Sequence, residues 1–167
     1  IAGLVKGASK GEGLGNRFLS NIRMTDAIVH VVRCFDDENV IHVEGSTDPI
    51  RDIDTIDLEL VMADMEMVDR RIDKAQKAAK GDKKFLREVE VFTGLRSWLD
   101  QGNSARTYDC GEEEAAIIAT SELLSLKPVI YAANLDEAGF AAPQSVAYYK
   151  LVEERAAAQG AQVIPVC

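Results

Sequence analysis

The chain has 167 residues, enough for one domain with a sizeable hydrophobic core. The hydrophobic content of 47% and charged content of 28% are ordinary for a soluble globular protein. The net charge of −9 argues against a protein whose whole surface binds nucleic acid or a membrane. It does not exclude a local basic patch. We expect no membrane span, because no apolar run approaches about 18 residues. The three cysteines have no CxxC spacing, which disfavours a disulfide framework or a zinc site and favours a reducing cytoplasm.

The first eighteen residues, Ile1 to Phe18, are rich in glycine. Each glycine costs a regular helix or strand about 0.5–1 kcal/mol relative to alanine, so this segment is predicted to be a loop. Such loops bind phosphates or change conformation around them, and the alternative is a flexible tail. The glycines are Gly3, Gly7, Gly11, Gly13 and Gly15.

Three apolar runs predict the strands of a parallel sheet. Residues 26–35 and 128–133 have the valine- and isoleucine-rich or near-continuous apolar character of strands buried on both faces. A third strand is predicted over 162–166, after a helix over 144–159, and this order implies a right-handed parallel crossover. The fold class is therefore α/β. Two further helices are predicted, one capped by Asn16 or Ser20 and ending near Met24, the other over 112–126.

Two long periodic segments predict an antiparallel helical hairpin inserted into the α/β part. From about Arg51 the apolar residues alternate spacings of four and three, the seam of a coiled coil, and a second helical run follows Gly81. We expect the α/β part to comprise 1–50 and 104–167 and the hairpin 51–103. The predicted apolar positions are Val61, Met65, Val68, Ile72, Ala75 and Ala79 on the first helix and Phe85, Val89, Phe92, Leu95 and Leu99 on the second.

Positive charge is concentrated around the turn of the predicted hairpin. Between Asp69 and Glu88, eight basic and four acidic residues give a local charge of +4, which leaves −13 for the rest. A basic tip on an acidic protein favours contact with a phosphate-rich surface, and the alternative is a solvated helical face. We expect no aromatic ring to stack with these charges, so neither base-specific RNA reading nor sequence-specific DNA binding is predicted. The candidate partner-binding residues are Arg70, Arg71, Lys74, Lys77, Lys80, Lys83 and Lys84.

The segment from Asn134 to Glu137 directly follows the second predicted strand. In an open parallel sheet, ligands bind at the carboxyl ends of the strands. An amide and a carboxylate three residues apart at such an end can read the hydrogen-bonding edge of a base. The alternative is a polar turn that starts the next helix.

Taken in order, these segments resemble the Obg-related GTPases and, within them, the YchF branch or Obg-like ATPases. The string IAGLVKGASKGEGLGN is similar to the family's switch II region. The strings DAIVHVVRCF, NVIHVEGSTDPIRDID, KAAKGDKK and KPVIYAANLDE follow in the family's order. The resemblance covers essentially the whole chain. It implies part of a Ras-like P-loop NTPase sheet, with helices on both faces and an inserted coiled-coil hairpin.

The resemblance also implies roles for individual residues. Gly3 would be the glycine of the DxxG motif, facing the γ-phosphate, and Leu4 stands where signalling GTPases keep a water-orienting glutamine. Leucine can neither donate nor accept a hydrogen bond. The family's candidate for positioning water maps onto His42, whose imidazole can take or orient a proton, and the alternative is that His42 anchors a loop.

The base-reading motif NKxD of GTPases reads NLDE in this chain. Leu135 replaces the lysine and Glu137 replaces the aspartate, a change that goes with a preference for ATP over GTP in the resembled family. Asn134 and the backbone of Leu135 would then contact adenine, with Glu137 as a further contributor.

The resemblance implies a cytoplasmic switch protein of the YchF type. It would hydrolyse ATP, with GTP as a second nucleotide, use Mg²⁺, and engage the ribosome or a translation factor. The chain has no GxxxxGK[ST] phosphate-binding loop, so we expect an excerpt of a longer protein that is by itself inactive and binds ATP negligibly. The alternative is a non-catalytic coiled-coil interaction module with a vestigial nucleotide site.

Overall fold

A computed structural model describes residues 14–37, 39 and 45–167, with side chains described from residue 18 onward. This part of the chain forms six α-helices and three β-strands. The helices are α1 (Leu14–Arg23), α2 (Pro49–Ala79), α3 (Phe85–Asp100), α4 (Glu112–Ala119), α5 (Glu137–Ala141) and α6 (Ala147–Ala158). The strands are β1 (Ile28–Arg33), β2 (Val129–Asn134) and β3 (Gln162–Val166). Short 3-10 turns lie at Ala105–Thr107 and Pro143–Ser145.

The three strands form one parallel sheet with β2 in the centre. The register pairs Ile28 with Val129 and Ile130 with Gln162. Because β2 and β3 are parallel neighbours, α6 is the crossover between them. The α/β class and the parallel sheet predicted from the sequence are thus confirmed.

The described residues divide into two compact units. The first contains 26–56 and 128–167, which hold the sheet, α5 and α6 together with the beginning of α2. The second contains 14–25 and 57–127, which hold α1, α3, α4 and the rest of α2. Residues 104–127 thus group with the helices, whereas the predicted division joined them to the sheet. The domain bounds stay a prediction.

In the first unit, the covered face of the sheet is built around Tyr131, which is completely buried. Its hydroxyl donates to Gln159 Oε1 at 2.8 Å, and α6 contacts both β2 and β3. The other face of β1 differs from the expectation, because Val29 and Val31 are 54% and 51% exposed. Alternate residues of a strand point to opposite faces, and within the described residues only one face of β1 is covered. The prediction of a strand buried on both faces is therefore wrong for β1.

In the second unit, α2 and α3 run antiparallel. Asp69 on α2 pairs with Arg96 on α3 at 2.7 Å, and Arg71 on α2 pairs with Glu88 on α3. A higher residue number on α2 thus pairs with a lower one on α3, as in antiparallel helices. Their facing sides share a hydrophobic core that includes the predicted positions Val61, Val68, Phe92, Leu95 and Leu99. The predicted helical pairing is present, while supercoiling and insertion of the hairpin stay predictions. Among the described helices, none combines the length and apolar character needed to cross a bilayer.

Two predicted helices have different limits in the structure. α1 begins at Leu14, so neither Asn16 nor Ser20 caps it, and it includes Gly15 because one glycine costs a helix only about 1 kcal/mol. α4 ends at Ala119 instead of continuing to residue 126. The hydroxyls of Thr120 and Ser121 donate back to helical carbonyls there, a local bond that competes with the helix.

A buried carboxylate connects α2 to the segment that follows α4. Asp64 is completely buried, and its two oxygens accept from the backbone N–H groups of Leu124 at 2.8 Å and Ser125 at 2.7 Å. Burial raises the pKa of Asp64, and the hydrogen bonds from Ser125 and Leu124 partly oppose this rise. The bonds satisfy two donors that would otherwise be buried without a partner.

We expect Asp64→Ala to lower the free energy of unfolding by on the order of 3 kcal/mol, because two buried N–H groups lose their acceptor. Asp64→Asn should cost less, since its side-chain oxygen can still accept one of the bonds. Urea unfolding measures both. The matched control is Asp73→Ala on the same helix, whose exposed pair with Lys77 should contribute under about 1 kcal/mol. An equal loss for Asp64→Ala and Asp73→Ala would contradict this role.

Candidate functional site

The carboxyl ends of the three strands are held level by backbone hydrogen bonds. Cys34 N–H, just after β1, donates to the carbonyl of Asn134 at 2.8 Å. Leu135 N–H, just after β2, donates to the carbonyl of Val166 at 2.8 Å. The loops that leave β1 and β2 therefore start side by side at the edge where open parallel sheets bind ligands.

Asn134 ends the central strand at this edge. It is half-buried, and its side-chain amide makes no hydrogen bond within the described residues. A side-chain amide offers both donors and an acceptor. Asn134 can therefore offer a complete amide to a ligand at the centre of the edge.

Leu135 is buried and its backbone N–H is already hydrogen-bonded, which the sequence did not indicate. Its side chain is 2% exposed, and its N–H is already bonded to Val166. A ligand that contacts this part of the backbone would therefore meet the Leu135 carbonyl, not its N–H.

Asp136 and Glu137 start the helix that follows. Asp136 Oδ1 accepts from Gly139 N–H at 2.7 Å and caps α5. A Cβ on Gly139 would lie 2.9 Å from that oxygen and 3.1 Å from Val146 Cγ2, so only glycine fits without a shift. Glu137 is exposed in the first turn and makes no hydrogen bond in the described part of the chain. The alternative, a polar turn that starts the next helix, thus accounts for the helix-capping side chain of Asp136. It does not account for Asn134, which caps no helix.

The first residues of the loop after β1 make several contacts within the same unit. The Arg33 guanidinium lies 4.7 Å from the centre of the Phe35 ring and donates to the Phe35 carbonyl at 3.0 Å. The Tyr148 hydroxyl on α6 donates to Asp36 at 3.0 Å, which raises the pKa of Tyr148. Sequence reasoning missed this pair, because 112 residues separate its members and no motif marks either.

Cys34 lies at the start of that loop and is buried. Burial, with a smaller contribution from Asp52, raises the pKa of Cys34 to about 12. Its thiol is therefore neutral at physiological pH and is not an activated nucleophile. Three predicted site residues, Gly3, Leu4 and His42, lie outside the described residues.

The seven predicted partner-binding residues lie in the second unit and divide by their ion pairs. Three are paired with acidic neighbours: Arg71 with Glu88, Lys77 with Asp73 at 2.7 Å, and Lys84 with Asp82 at 3.1 Å. The other four are exposed and have no ion pair within the described residues. They are Arg70, Lys74, Lys80 and Lys83.

Aromatic rings do stack with two of the charges, contrary to expectation. Lys84 Nζ lies 5.2 Å from the centre of the Phe85 ring, and the Arg71 guanidinium lies 5.2 Å from that of Phe92. The expectation was wrong because sequence neighbours at the turn and facing residues of α2 and α3 come close in space. Both rings are covered by a cation of the chain itself.

No protein-family model matches the chain. The Ribosome-binding ATPase YchF of Bacillus subtilis is 48% identical over 168 residues, which cover 100% of this chain and 46% of that protein. Obg-like ATPase 1 of Rattus norvegicus is 47% identical over 141 residues, which cover 82% of this chain and 36% of that protein.

A solved structure described as that of the Schizosaccharomyces pombe YchF GTPase superposes with a TM-score of 0.80 and 37% identity, covering 99% of this chain and 46% of that one. The chain thus spans about half the length of the relatives it matches. This similarity along the whole chain points to the same family as the order of the sequence motifs, and the parallel sheet is consistent with it. The chain therefore belongs to the family of the YchF and Obg-like ATPases.

Proposed function

We propose that the chain is part of a P-loop switch protein of the YchF type. In this proposal the intact protein binds and hydrolyses ATP, with GTP as a second nucleotide, in the cytoplasm. Hydrolysis controls its engagement of the ribosome or a translation factor. The observation that carries the proposal is the 48% identity, along the whole chain, to a protein named a ribosome-binding ATPase.

Base recognition is assigned to the edge of the sheet at Asn134 and Leu135. An amide such as that of Asn134 can bond both the ring nitrogen and the amine of adenine. The Leu135 carbonyl can accept from that amine, whereas the acceptor oxygen of guanine would face another acceptor. Since the Leu135 N–H is bonded to Val166, it offers guanine no compensating donor. This geometry supports the preference for ATP. Glu137 is the third member of the proposed set.

Hydrolysis is assigned to the glycine-rich segment and to His42. Gly3 would contribute a backbone N–H toward the γ-phosphate, where negative charge is stabilised during transfer. Leu4 has no group that can hold water, so His42 is proposed to orient the attacking water and take its proton.

Mg²⁺ belongs to the proposal as the ion that offsets the charge of the phosphates when it is bound. Among the described residues, no group of three or more His, Cys, Asp or Glu side chains could hold a metal ion. The described residues therefore do not fit a magnesium site by themselves, and we name no ligand for the ion.

Ribosome engagement is assigned to the hairpin tip, defined here as Lys77, Lys80, Lys83 and Lys84. Lys80 and Lys83 are exposed and have no ion pair within the described residues, so they can neutralise phosphates at little cost. Lys77 and Lys84 already have acidic partners, and a phosphate would have to displace these.

We expect Asn134→Ala to weaken ATP binding by the intact protein about tenfold, because the base loses a two-point contact. Isothermal titration with ATP and GTP measures the effect, which should be larger for ATP. The control is Gln144→Ala, an exposed amide in the same unit that bonds Glu153. Unchanged ATP affinity in the Asn134 variant would contradict the assignment.

His42→Ala should lower kcat for ATP by a factor of about 10² or more, with the Kd for ATP within about twofold, since a water-positioning group acts on the chemical step. Single-turnover hydrolysis and equilibrium binding separate the two effects. Val43→Ala is the neighbouring control. If kcat is unchanged, His42 has no role in the mechanism.

Lys80→Glu combined with Lys83→Glu should weaken co-sedimentation of the intact protein with ribosomes. The difference from wild type should be greatest at low salt, where phosphate contacts are strongest. Lys150→Glu, an exposed cation on α6, controls for the change in net charge. Equal behaviour of the tip and control variants would favour the solvated-face alternative.

A further inference from the structure

Two adjoining depressions lie on the second unit and share the side chains of Arg71 and Lys74. The first has a volume of about 250 Å³, and Ala75, Ala78 and Phe85 supply its apolar lining. This is several times the roughly 30 Å³ of a water molecule, so an aliphatic side chain fits.

The second depression has a volume of about 230 Å³. Met67 is its apolar lining residue, and Arg70 and Glu122 are among its charged ones. Because the depressions share Arg71 and Lys74, they form one continuous surface, which we call the Lys74 groove.

Arg71 is a fixed part of this groove. Its guanidinium donates to Glu88 and to Thr120 Oγ1, the latter at 3.0 Å, and it lies over the Phe92 ring. Its charge is offset by Glu88, and its position is held from three sides. Arg71 therefore shapes the groove, and because its charge is already paired, the neighbouring cations are better placed to bind a charged ligand.

Arg70 and Lys74 are those neighbours. Both are exposed and neither has an ion pair within the described residues. They are four residues apart on α2, so they share a helix face and are separated by about 6 Å along its axis. The groove thus places two cations that have no ion pair in the described residues one helical turn apart, and Lys74 also lines the apolar depression.

We propose that the Lys74 groove binds an acidic amphipathic helix of a partner protein. Two carboxylates one turn apart on that helix pair with Arg70 and Lys74, and an aliphatic side chain of the same helix enters the depression lined by Ala75, Ala78 and Phe85. This proposal rests on the proposed role of the hairpin as a partner-binding arm, and it does not depend on nucleotide hydrolysis.

The lining favours a protein helix over an RNA strand. A phosphate backbone would satisfy Arg70 and Lys74 but leave the apolar depression without a partner. Base stacking would require an open ring, whereas the Phe85 ring is half-buried and has Lys84 Nζ at 5.2 Å. A helix with acidic and apolar residues at i, i+4 spacing matches both features of the groove.

The test uses the intact protein and a fluorescein-labelled 18-residue peptide of Glu, Leu and Ala with Glu and Leu at helical spacing. A scrambled peptide of the same composition is the control, and fluorescence anisotropy measures binding. Lys74→Glu should weaken binding about tenfold or more, because a desolvated charge contact is reversed. Lys83→Glu, which makes the same charge change at the hairpin tip, should stay within about twofold.

Two variants separate the groove from general electrostatics. Ala78→Phe fills the apolar depression without changing charge and should also weaken peptide binding about tenfold, with Ala78→Leu as a milder filling variant. Glu122→Gln removes a repelling carboxylate and should strengthen binding about two- to threefold. Circular dichroism melting checks that each variant is folded.

Several results would overturn the inference. They are absence of peptide binding, equal binding of the scrambled peptide, no effect of either Ala78 variant, or equal losses for Lys74→Glu and Lys83→Glu. A 20-nucleotide oligouridine is tested in the same way. The groove would be assigned to RNA if the oligouridine binds the wild type, if Lys74→Glu abolishes that binding and if Ala78→Phe leaves it unchanged. ATP hydrolysis and ribosome co-sedimentation, measured on the same wild-type preparation, report separately on the proposed function.

Discussion

The candidate site depends on the backbone hydrogen bonds that β2 makes with the strands on either side. The bonds from Cys34 N–H to the Asn134 carbonyl and from Leu135 N–H to the Val166 carbonyl continue the parallel ladders one residue beyond the strands. They bring two separate loops to one edge of the sheet. They also engage the Leu135 N–H, which therefore cannot donate to a ligand. At the end of β2, the described residues then leave the Asn134 amide and the Leu135 carbonyl for a ligand, and these are the two groups to which the proposed function assigns adenine recognition.

A second constraint is the buried carboxylate of Asp64. By accepting from two successive backbone N–H groups after α4, it satisfies these buried donors and holds the segment in the core of the second unit. The left-handed conformation of Glu122, with φ of 50°, lies in the same turn. That turn carries Thr120, which bonds Arg71, and so it also shapes one side of the Lys74 groove.

The cations of the hairpin divide into those with acidic partners and those without. Arg71, Lys77 and Lys84 have acidic partners, while Arg70, Lys74, Lys80 and Lys83 are exposed without an ion pair in the described residues. Of these four, Arg70 and Lys74 line the Lys74 groove and the other two do not. The proposed helix-binding surface and the proposed phosphate-binding surface therefore occupy different parts of one basic segment.

Local patterns predicted most of the elements because their causes are local. The apolar periodicity indicated α2 and α3, and the apolar runs indicated all three strands of the parallel sheet. The strand-end position of Asn134 also followed from sequence order. Patterns failed where a distant group decides the outcome. After α4, the backbone N–H of Leu124 is bound by Asp64, which lies sixty residues earlier in the chain, and no short window of sequence contains both residues.

The sequence by itself determined the α/β class, the family, the candidate edge and the basic character of the hairpin, because these follow from periodicity, motif order and composition. Only the tertiary structure decided which polar groups are already engaged. It bonded the Leu135 N–H, used Asp136 as a helix cap, paired Arg71 with Glu88 and left the Asn134 amide without a hydrogen bond in the described residues. The physical reason is that a hydrogen bond or ion pair depends on distances between residues far apart in the chain, and these distances exist only once the chain has folded.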